Sequence, residues 1–423
     1  MKVLWLSHLI PYPPKGGVLQ RSHHLVCEVA KHHEVDLLAF NQSALLEPLF
    51  STVAAGVAEA EGFFRNVCRR QQFVPLPAEG ARYGKQRLAL RSLVGEPYNI
   101  RWLQSRPFRA TLARWVADTR YDLVHFDTVS LVPYRDAIAA TSATVLDHHN
   151  IESSMLVRRS GNEANWPKRL YYLQEGLRLR AFERRYCPAF DLNITCSDLD
   201  SRELVRVAPG SRVATVPNAV DTTYFTAGPQ GEGADASLIF VGRLNWYPNA
   251  QAATFIAEQL WPRLRAAWPQ LRFDLVGANP PPAATVLASR DPSFRVHGFV
   301  DDVRPMMTEA TVYVCPITDG GGTKLKVLDA MAMGKALVAH PIACEGIAVE
   351  PEENVLLART PEEFVLQIRR LLEDRGLRQR LGAGARRMVE THYSKVAVGK
   401  QLAELFTGCV SDRITALSRR SAG

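Results

Sequence analysis

Val312-Tyr313-Val314-Cys315-Pro316-Ile317-Thr318-Asp319-Gly320-Gly321-Gly322-Thr323-Lys324-Leu325-Lys326-Val327-Leu328-Asp329-Ala330-Met331-Ala332-Met333-Gly334 holds the pattern from which the fold is read. Val312–Cys315 is a short apolar run of the kind that forms a buried parallel strand. Adjacent glycines follow, Lys326–Met333 then reads as a helix, and Leu337–Ala339 is the next strand. Outward from this stretch the same alternation recurs: strands at Leu238–Val241, Phe273–Val276 and Phe294–His297, with a helix over Asn249–Trp268. The first half repeats it, with strands at Val3–Ser7, Val35–Phe40, Leu123–Phe126, Thr144–Asp147, Leu192–Thr195 and Val213–Val216. Helices there read over Leu19–Lys31, Phe108–Thr119 and Arg169–Arg185. Strand alternating with helix means a parallel sheet covered on both faces. Two such sets mean two doubly wound α/β domains facing a cleft. The division falls near Pro217-Asn218-Ala219-Val220-Asp221, ahead of the glycine-rich Gly228–Gly233. This gives a first domain over 1–218 and a second over 219–399, with a helix over about 400–423 able to pack back on the first.

Composition bounds the function. The 423 residues exceed what one compact core holds. With 47% hydrophobic and 22% charged residues, wholesale disorder, collagen-like repeats and a disulfide-stapled mini-protein are excluded. No apolar run approaches the ~18 residues of a membrane span, and the N-terminal run before His8 is too short for a signal peptide. Seven scattered cysteines without a Cys-x-x-Cys pair indicate neither a disulfide framework nor a zinc module, so a reducing cytoplasm is expected. The net charge is +8. Residues 65–109 hold ten basic side chains against Glu79 and Glu96, and so account for the whole excess. Arg65, Arg69, Arg70, Arg82, Arg91 and Arg109 are among them, interleaved with Phe63, Tyr83, Leu93 and Trp102. Such a region is either a solvated face or the footprint of an anionic partner.

Open parallel sheets bind ligands beyond the strands' carboxyl ends, so the residues after each strand were read for chemistry. Gly16-Gly17 precede a helix and suit either a phosphate-binding turn or a plain one. His148-His149 close a strand, where a neutral imidazole can bond a sugar or exchange a proton. None of the histidine pairs has a carboxylate cluster beside it in sequence, so no metal site is expected. Asp198-Leu199-Asp200 reads as helix capping rather than a metal triplet. Gly242-Arg243 could clamp a diphosphate or form a structural ion pair. In the Gly320–Gly334 stretch, the amides of Gly321, Gly322 and Thr323 and the following helix N-terminus make an anion-binding nest. Lys324 and Lys326 sit where a cation opposes the helix dipole, which implies a bound anion. Asp329, on nearly the same face as Lys326, could accept from a ribose diol.

Taken in order, these residues resemble the retaining, nucleotide-sugar-dependent GT-B glycosyltransferases of family four. The markers are Gly16-Gly17, Asp122-Leu123-Val124-His125, Asp147-His148-His149-Asn150 and Ser197. Pro217-Asn218-Ala219-Val220-Asp221, Gly242-Arg243, Val276-Gly277, Val296-His297-Gly298-Phe299-Val300 and the Gly320–Gly334 stretch complete them. Trp246-Tyr247-Pro248-Asn249 resembles sugar transferases of bacterial exopolysaccharide clusters. The resemblance implies roles. Gly16 and Gly17 would contact the donor phosphate, and His149 the transferred sugar. Arg243 and Lys326 would hold the diphosphate, Asp329 the ribose, and backbone around His297 and Gly298 the base. The sequence departs from the family in three places. Of two glutamates usual eight positions apart, Gly321 and Asp329 stand instead; Asn249 occupies a common lysine position, so Lys326 must substitute; and Ala219 replaces a turn glycine.

The expected reaction moves a sugar from a nucleoside-diphosphate sugar of UDP or GDP type, with retention. Arg243, Lys326 and the glycine-rich amides would stabilise the leaving diphosphate without a metal or other cofactor. The acceptor is expected to be a glycan or a polyprenyl-diphosphate-linked glycan. Residues 65–109 would touch an anionic membrane surface at the cytoplasmic face. Two alternatives stay open: a nucleotide-sugar 2-epimerase of the same fold, and a non-enzymatic anion- or nucleic-acid-binding protein. The latter lacks a helix-turn-helix or aromatic RNA-binding motif, so nucleic acid is not the expected partner.

Overall fold

The computed structural model describes residues 1–15, 17–77, 79, 84–92, 95–226, 236–319 and 322–421. The chain forms two compact units, Met1–Pro217 with Val398–Gly423, and Asn218–Ala397. In the first, β1 (Lys2–Ser7), β2 (Glu34–Asn41), β3 (Arg70–Pro75), β4 (Leu123–Phe126), β5 (Ala143–His148), β6 (Leu192–Thr195) and β7 (Val213–Thr215) make one sheet. Its order is β3-β2-β1-β4-β5-β6-β7 and every pair is parallel. The central strands are buried on both faces, which is why they read as continuous apolar runs rather than alternating ones. The flanking helices include α1 (Gly17–Ala30), α2 (Gly84–Arg91), α3 (Arg106–Asp118), α4 (Glu152–Asn162) and α5 (Trp166–Tyr186). Ser105 starts α3 by accepting from the Phe108 amide at 3.3 Å, and Phe108 stacks on Phe40 of β2 at 4.2 Å.

The second unit has β8 (Ser237–Val241), β9 (Arg272–Val276), β10 (Phe294–Val296), β11 (Val312–Cys315), β12 (Leu337–Ala339) and β13 (Leu356–Leu357). These are also all parallel, in the order β10-β9-β8-β11-β12-β13. Helices α6 (Tyr247–Phe255) and α7 (Leu325–Ala332) follow β8 and β11. The last helix, α8 (Lys395–Ser421), belongs from Val398 onward to the first unit. There Phe406 lies 6.4 Å from the Trp5 ring and 5.8 Å from His125, and Arg413 pairs with Asp191 at 3.1 Å.

The structure corrects the sequence reading in three places. Arg70–Pro75 is a strand, hidden from pattern reading because Arg-Gln-Gln-Phe-Val-Pro has no apolar run. Leu356–Leu357 is a two-residue edge strand. The single helix expected over Asn249–Trp268 is interrupted by a π-turn at Ile256–Leu260 before Trp261–Ala267. Pro262 lies at the start of that last piece; a proline ring clashes with an α-helical carbonyl four residues back, and the wider turn relieves it. The Gly228–Gly233 linker lies outside the described residues.

In both sheets the strand order reverses beside the first strand: between β1 and β4, and between β8 and β11. Ligand sites of doubly wound sheets lie beyond the carboxyl ends at these switch points. The next residues to consider are therefore those after β1, β4 and β5, and those after β8 and β11.

Candidate functional site

In the first unit the switch point is organised by Asp127, which directly follows β4 and is fully buried. Its Oδ2 accepts from Ser7 Oγ at 2.9 Å and Ser22 Oγ at 2.9 Å and pairs with His8 Nδ1 at 3.1 Å; its Oδ1 pairs with His149 Nε2 at 3.0 Å. One carboxylate thus ties together the ends of β1, β4 and β5 and the second turn of α1. Burial disfavours its charge, but the two histidines outweigh burial and hold Asp127 well below the usual carboxylate range. The effect on His149 is reciprocal: burial lowers its pKa, the charge and hydrogen bond of Asp127 raise it, and the net direction is up. The His8 and His149 rings meet edge-on at 5.3 Å. His149 therefore has a fixed ring orientation, a partner that stabilises its protonated form, and a small exposed edge.

A histidine–carboxylate cluster invisible in sequence is formed by folding. The donor atoms of His8, Asp127 and His149 all lie within 4.8 Å of one another. That is close enough to surround a cation; as it stands, Asp127 takes part in four hydrogen bonds, one of which fixes the His149 ring. Beneath it, Arg21 of α1 makes a buried two-point pair with Asp147 at 3.2 and 2.8 Å and donates to the Val216 carbonyl at 2.9 Å. His148 bonds Asn193 at 3.1 Å and is pushed down to about 4 by burial, so it is a neutral core residue.

In the second unit the loop after β8 begins at Gly242. A Cβ here would lie 2.6 Å from Lys326 Nζ and 3.0 Å from Asn249 Nδ2, so the glycine lets the amine close on the loop backbone. Lys326, in the first turn of α7, donates to Asn249 Oδ1 and lies 5.1 Å from the Phe240 ring centre. Asn249 in turn donates to the Arg243 carbonyl at 2.8 Å. The asparagine at the expected lysine position thus holds Lys326 in place. Burial pushes Lys326 down to about 8, so it stays cationic at neutral pH but is easily discharged. The Arg243 side chain is exposed and has no hydrogen-bond or ion-pair partner among the described residues. Gly322 takes a positive φ of 67°, Thr323 is buried with its carbonyl accepting from Asn218 at 3.4 Å, and Lys324 Nζ donates to the Gly322 carbonyl at 3.1 Å. The first amides of α7 remain the donors that a helix start leaves without intrahelical partners.

The remaining sequence candidates distribute as follows. Gly16 and Gly321 lie outside the described residues; Gly17 is the first residue of α1. Asp329 lies one turn after Lys326 on α7, half-buried. His297 pairs with Asp274 at 2.6 Å, its amide donates to Leu275, and Gly298, at φ 65°, accepts from the Gly277 amide at 2.7 Å. Ser197 caps its helix by accepting from the Asp200 amide at 3.1 Å, in keeping with a capping role for that stretch. In the basic segment, Arg69 and Arg70 are both spent on Asp36 at 2.5 and 2.7 Å and Arg109 on Asp136 at 2.6 Å; Arg82, Tyr83 and Leu93 lie outside the described residues. Sequence reading missed Asp127, His8 and Ser22. For Asp127 the signal was available, since it is the residue after a strand; its partners come from elements far apart in sequence.

Comparison with known proteins fits this geometry. Residues 15–224 match the family model described as Glycosyltransferase Family 4, and residues 235–374 that described as Glycosyl transferases group 1. Fold and domains together define the class: the chain carries the two domains of a GT-B glycosyltransferase. Sucrose-phosphate synthase from Thermosynechococcus elongatus is similar with a TM-score of 0.67 at 16% identity, over 97% of this chain and 100% of that one. HepE of Anabaena, solved with UDP and glucose, gives 0.64 at 16% identity over 96% and 100% of the two chains. TarM gives 0.64 at 10% identity over 96% and 98%. No curated protein sequence matches the chain. Among the described residues no helix is long and apolar enough to cross a membrane.

Proposed function

We propose that this glycosyltransferase moves a hexosyl group, with retention of anomeric configuration, from a nucleoside-diphosphate sugar to a glycan or polyprenyl-diphosphate-linked glycan. Exopolysaccharide or cell-surface glycan assembly, at the cytoplasmic membrane face, is the setting. The observation that carries the reading is the switch point of the second sheet. There Arg243, with no side-chain partner among the described residues, the ammonium of Lys326 and the amides opening α7 offer an anion several donors. Charge developing on the leaving diphosphate would be met by these preorganised groups, without a metal. Asp329 would take the ribose and the backbone at His297 and Gly298 the base. In the first unit, His149 on Asp127 would face the transferred sugar. UDP is the favoured nucleotide because HepE holds it; a GDP sugar is the other expectation.

The test is thermal-shift titration with UDP, GDP and ADP and their sugars, with and without a chelator. Selective stabilisation by one diphosphate, unaffected by chelator and lost in Arg243→Ala and Lys326→Ala, is expected. No stabilisation by any nucleotide would refute the donor site. Incubation with the donor alone addresses the same-fold epimerase: an altered free sugar nucleotide would replace the transferase reading.

A further inference from the structure

Helix α5 is built inside out. Its buried side is Glu175, Gly176, Leu179 and Glu183. Gly176 lets it press on α4, since a Cβ there would lie 2.9 Å from Val157. Glu183 accepts from the Ser153 amide at 3.3 Å and Glu175 from the Tyr98 amide at 2.7 Å. The outward side carries the apolar residues: Trp166 is 75% exposed, Leu170 58%, Leu173 37% and Leu177 52%. Spacings of four, three and four residues place them in one stripe about 16 Å long on the face opposite Glu175 and Leu179. A stripe of this kind on a soluble protein marks an interaction site.

Charge selects the occupant. Arg169 is exposed beside the stripe and Arg184 and Arg185 beyond it, and both acids of the helix are buried. A second copy packed on this face would find no outward carboxylate on α5 to answer these cations. An anionic lipid surface answers both features, taking the leucines and the indole into the headgroup boundary and phosphates onto the arginines. Arg178 of α5 also donates to the Ser92 and Gly95 carbonyls just beyond α2 in the basic segment. Leu90 of α2 is 71% exposed there.

We infer that the outward face of α5 is the surface with which this protein docks on an anionic membrane. The inference takes its motive from the lipid-linked acceptor reading, but its test does not depend on activity. The full chain is pelleted with vesicles of phosphatidylglycerol and phosphatidylcholine, and with phosphatidylcholine alone. Binding to the anionic vesicles only, reversed by salt, is expected. In Leu170→Glu/Leu177→Glu the bound fraction should fall by about tenfold or more. A second variant, Arg169→Ser/Arg184→Ser, keeps the apolar stripe and should also lose binding. A cooperative melting transition of both variants without ligand shows that they are folded, and nucleotide-induced stabilisation tests the donor site separately. Pelleting that is absent, or unchanged in folded variants, overturns the inference. So does a dimer in sedimentation equilibrium that the leucine substitutions dissociate, which would make the face a subunit interface.

Discussion

Lys326 shows how one buried amine can report on a ligand. Its pKa near 8 arises from burial, and Asn249 offers it an amide oxygen rather than a charge. A diphosphate would supply the missing charge and raise the pKa. At pH 8.5 nucleotide binding should therefore take up a proton, seen as a calorimetric enthalpy that varies with buffer; at pH 6.5, where the amine is already protonated, it should not. Affinity should fall as pH rises above about 8, and Lys326→Met should abolish both effects. Arg243→Ala removes a charge-assisted donor and should weaken nucleotide binding by about 2 kcal/mol, roughly thirtyfold, with the melting temperature of the free protein unchanged. In the first unit, Asp127→Asn withdraws the charge that raises His149. The His149 imidazole titration, followed by NMR, should move to lower pH; a titration left in place would show that Asp127 does not set it.

At the scale of elements, two glycines near the same loop separate fit from function. A Cβ on Gly277 would lie 1.8 Å from the Gly242 carbonyl oxygen at a φ of 152°, so Gly277→Ala should destabilise the second unit by roughly 3 kcal/mol or more. On Gly242 the added carbon meets the end of a lysine, which can swing aside; Gly242→Ala should fold normally and bind nucleotide poorly. Glu183 makes α5 pH-sensitive. Burial pushes its carboxyl up to about 7, against an ordinary value near 4.5. Its contribution to stability is complete below pH 4.5 and is lost as pH rises to about 7. Glu183→Gln, which retains the Ser153 contacts, should raise the melting temperature at pH 8 and change it little at pH 5, by an amount on the order of 2–3 kcal/mol at the higher pH. The strands after which the site residues fall were legible because two-sided burial demands unbroken apolar runs. β3 was not, because an edge strand with Arg69 and Arg70 neutralised by Asp36 needs no such run. Arg243, Lys326 and His149 could be located by their place after strands or at a helix start. The partners that tune them, Asp127 and Asn249, depend on which strand ends come together, and topology decides that.

For the molecule as a whole, α5 carries positive charge as densely as residues 65–109, with six basic against two acidic residues in 21, and it turns both acids inward. In residues 65–109, Arg69 and Arg70 are held by the buried Asp36 and Arg109 by the exposed Asp136, whereas Arg65, Arg87, Arg91 and Arg106 are exposed. The deepest ion pair, Arg21–Asp147, joins α1 to β5 and to the carbonyl of Val216, near the end of the first continuous segment. Arg21→Ala would leave Asp147 buried alone and should cost roughly 3–5 kcal/mol of first-unit stability, read by denaturant unfolding.

The return of α8 to the first unit has a topological consequence. In Asn218–Ala397 the two ends are clasped: Val220 bridges Ser394, its amide donates to Tyr393 at 2.8 Å, and Asp221 pairs with Lys395 at 2.5 Å. In the first unit, Gln401 donates to the Thr215 carbonyl at 2.9 Å, so its chain also leaves and re-enters at one place. The second unit is thus an insertion in the first rather than an appendage, and could be excised whole, with a short linker closing the gap between Pro217 and Val398. A simple truncation after Pro217 would instead strip Phe406 from Trp5 and His125 and leave the first unit without its last helix.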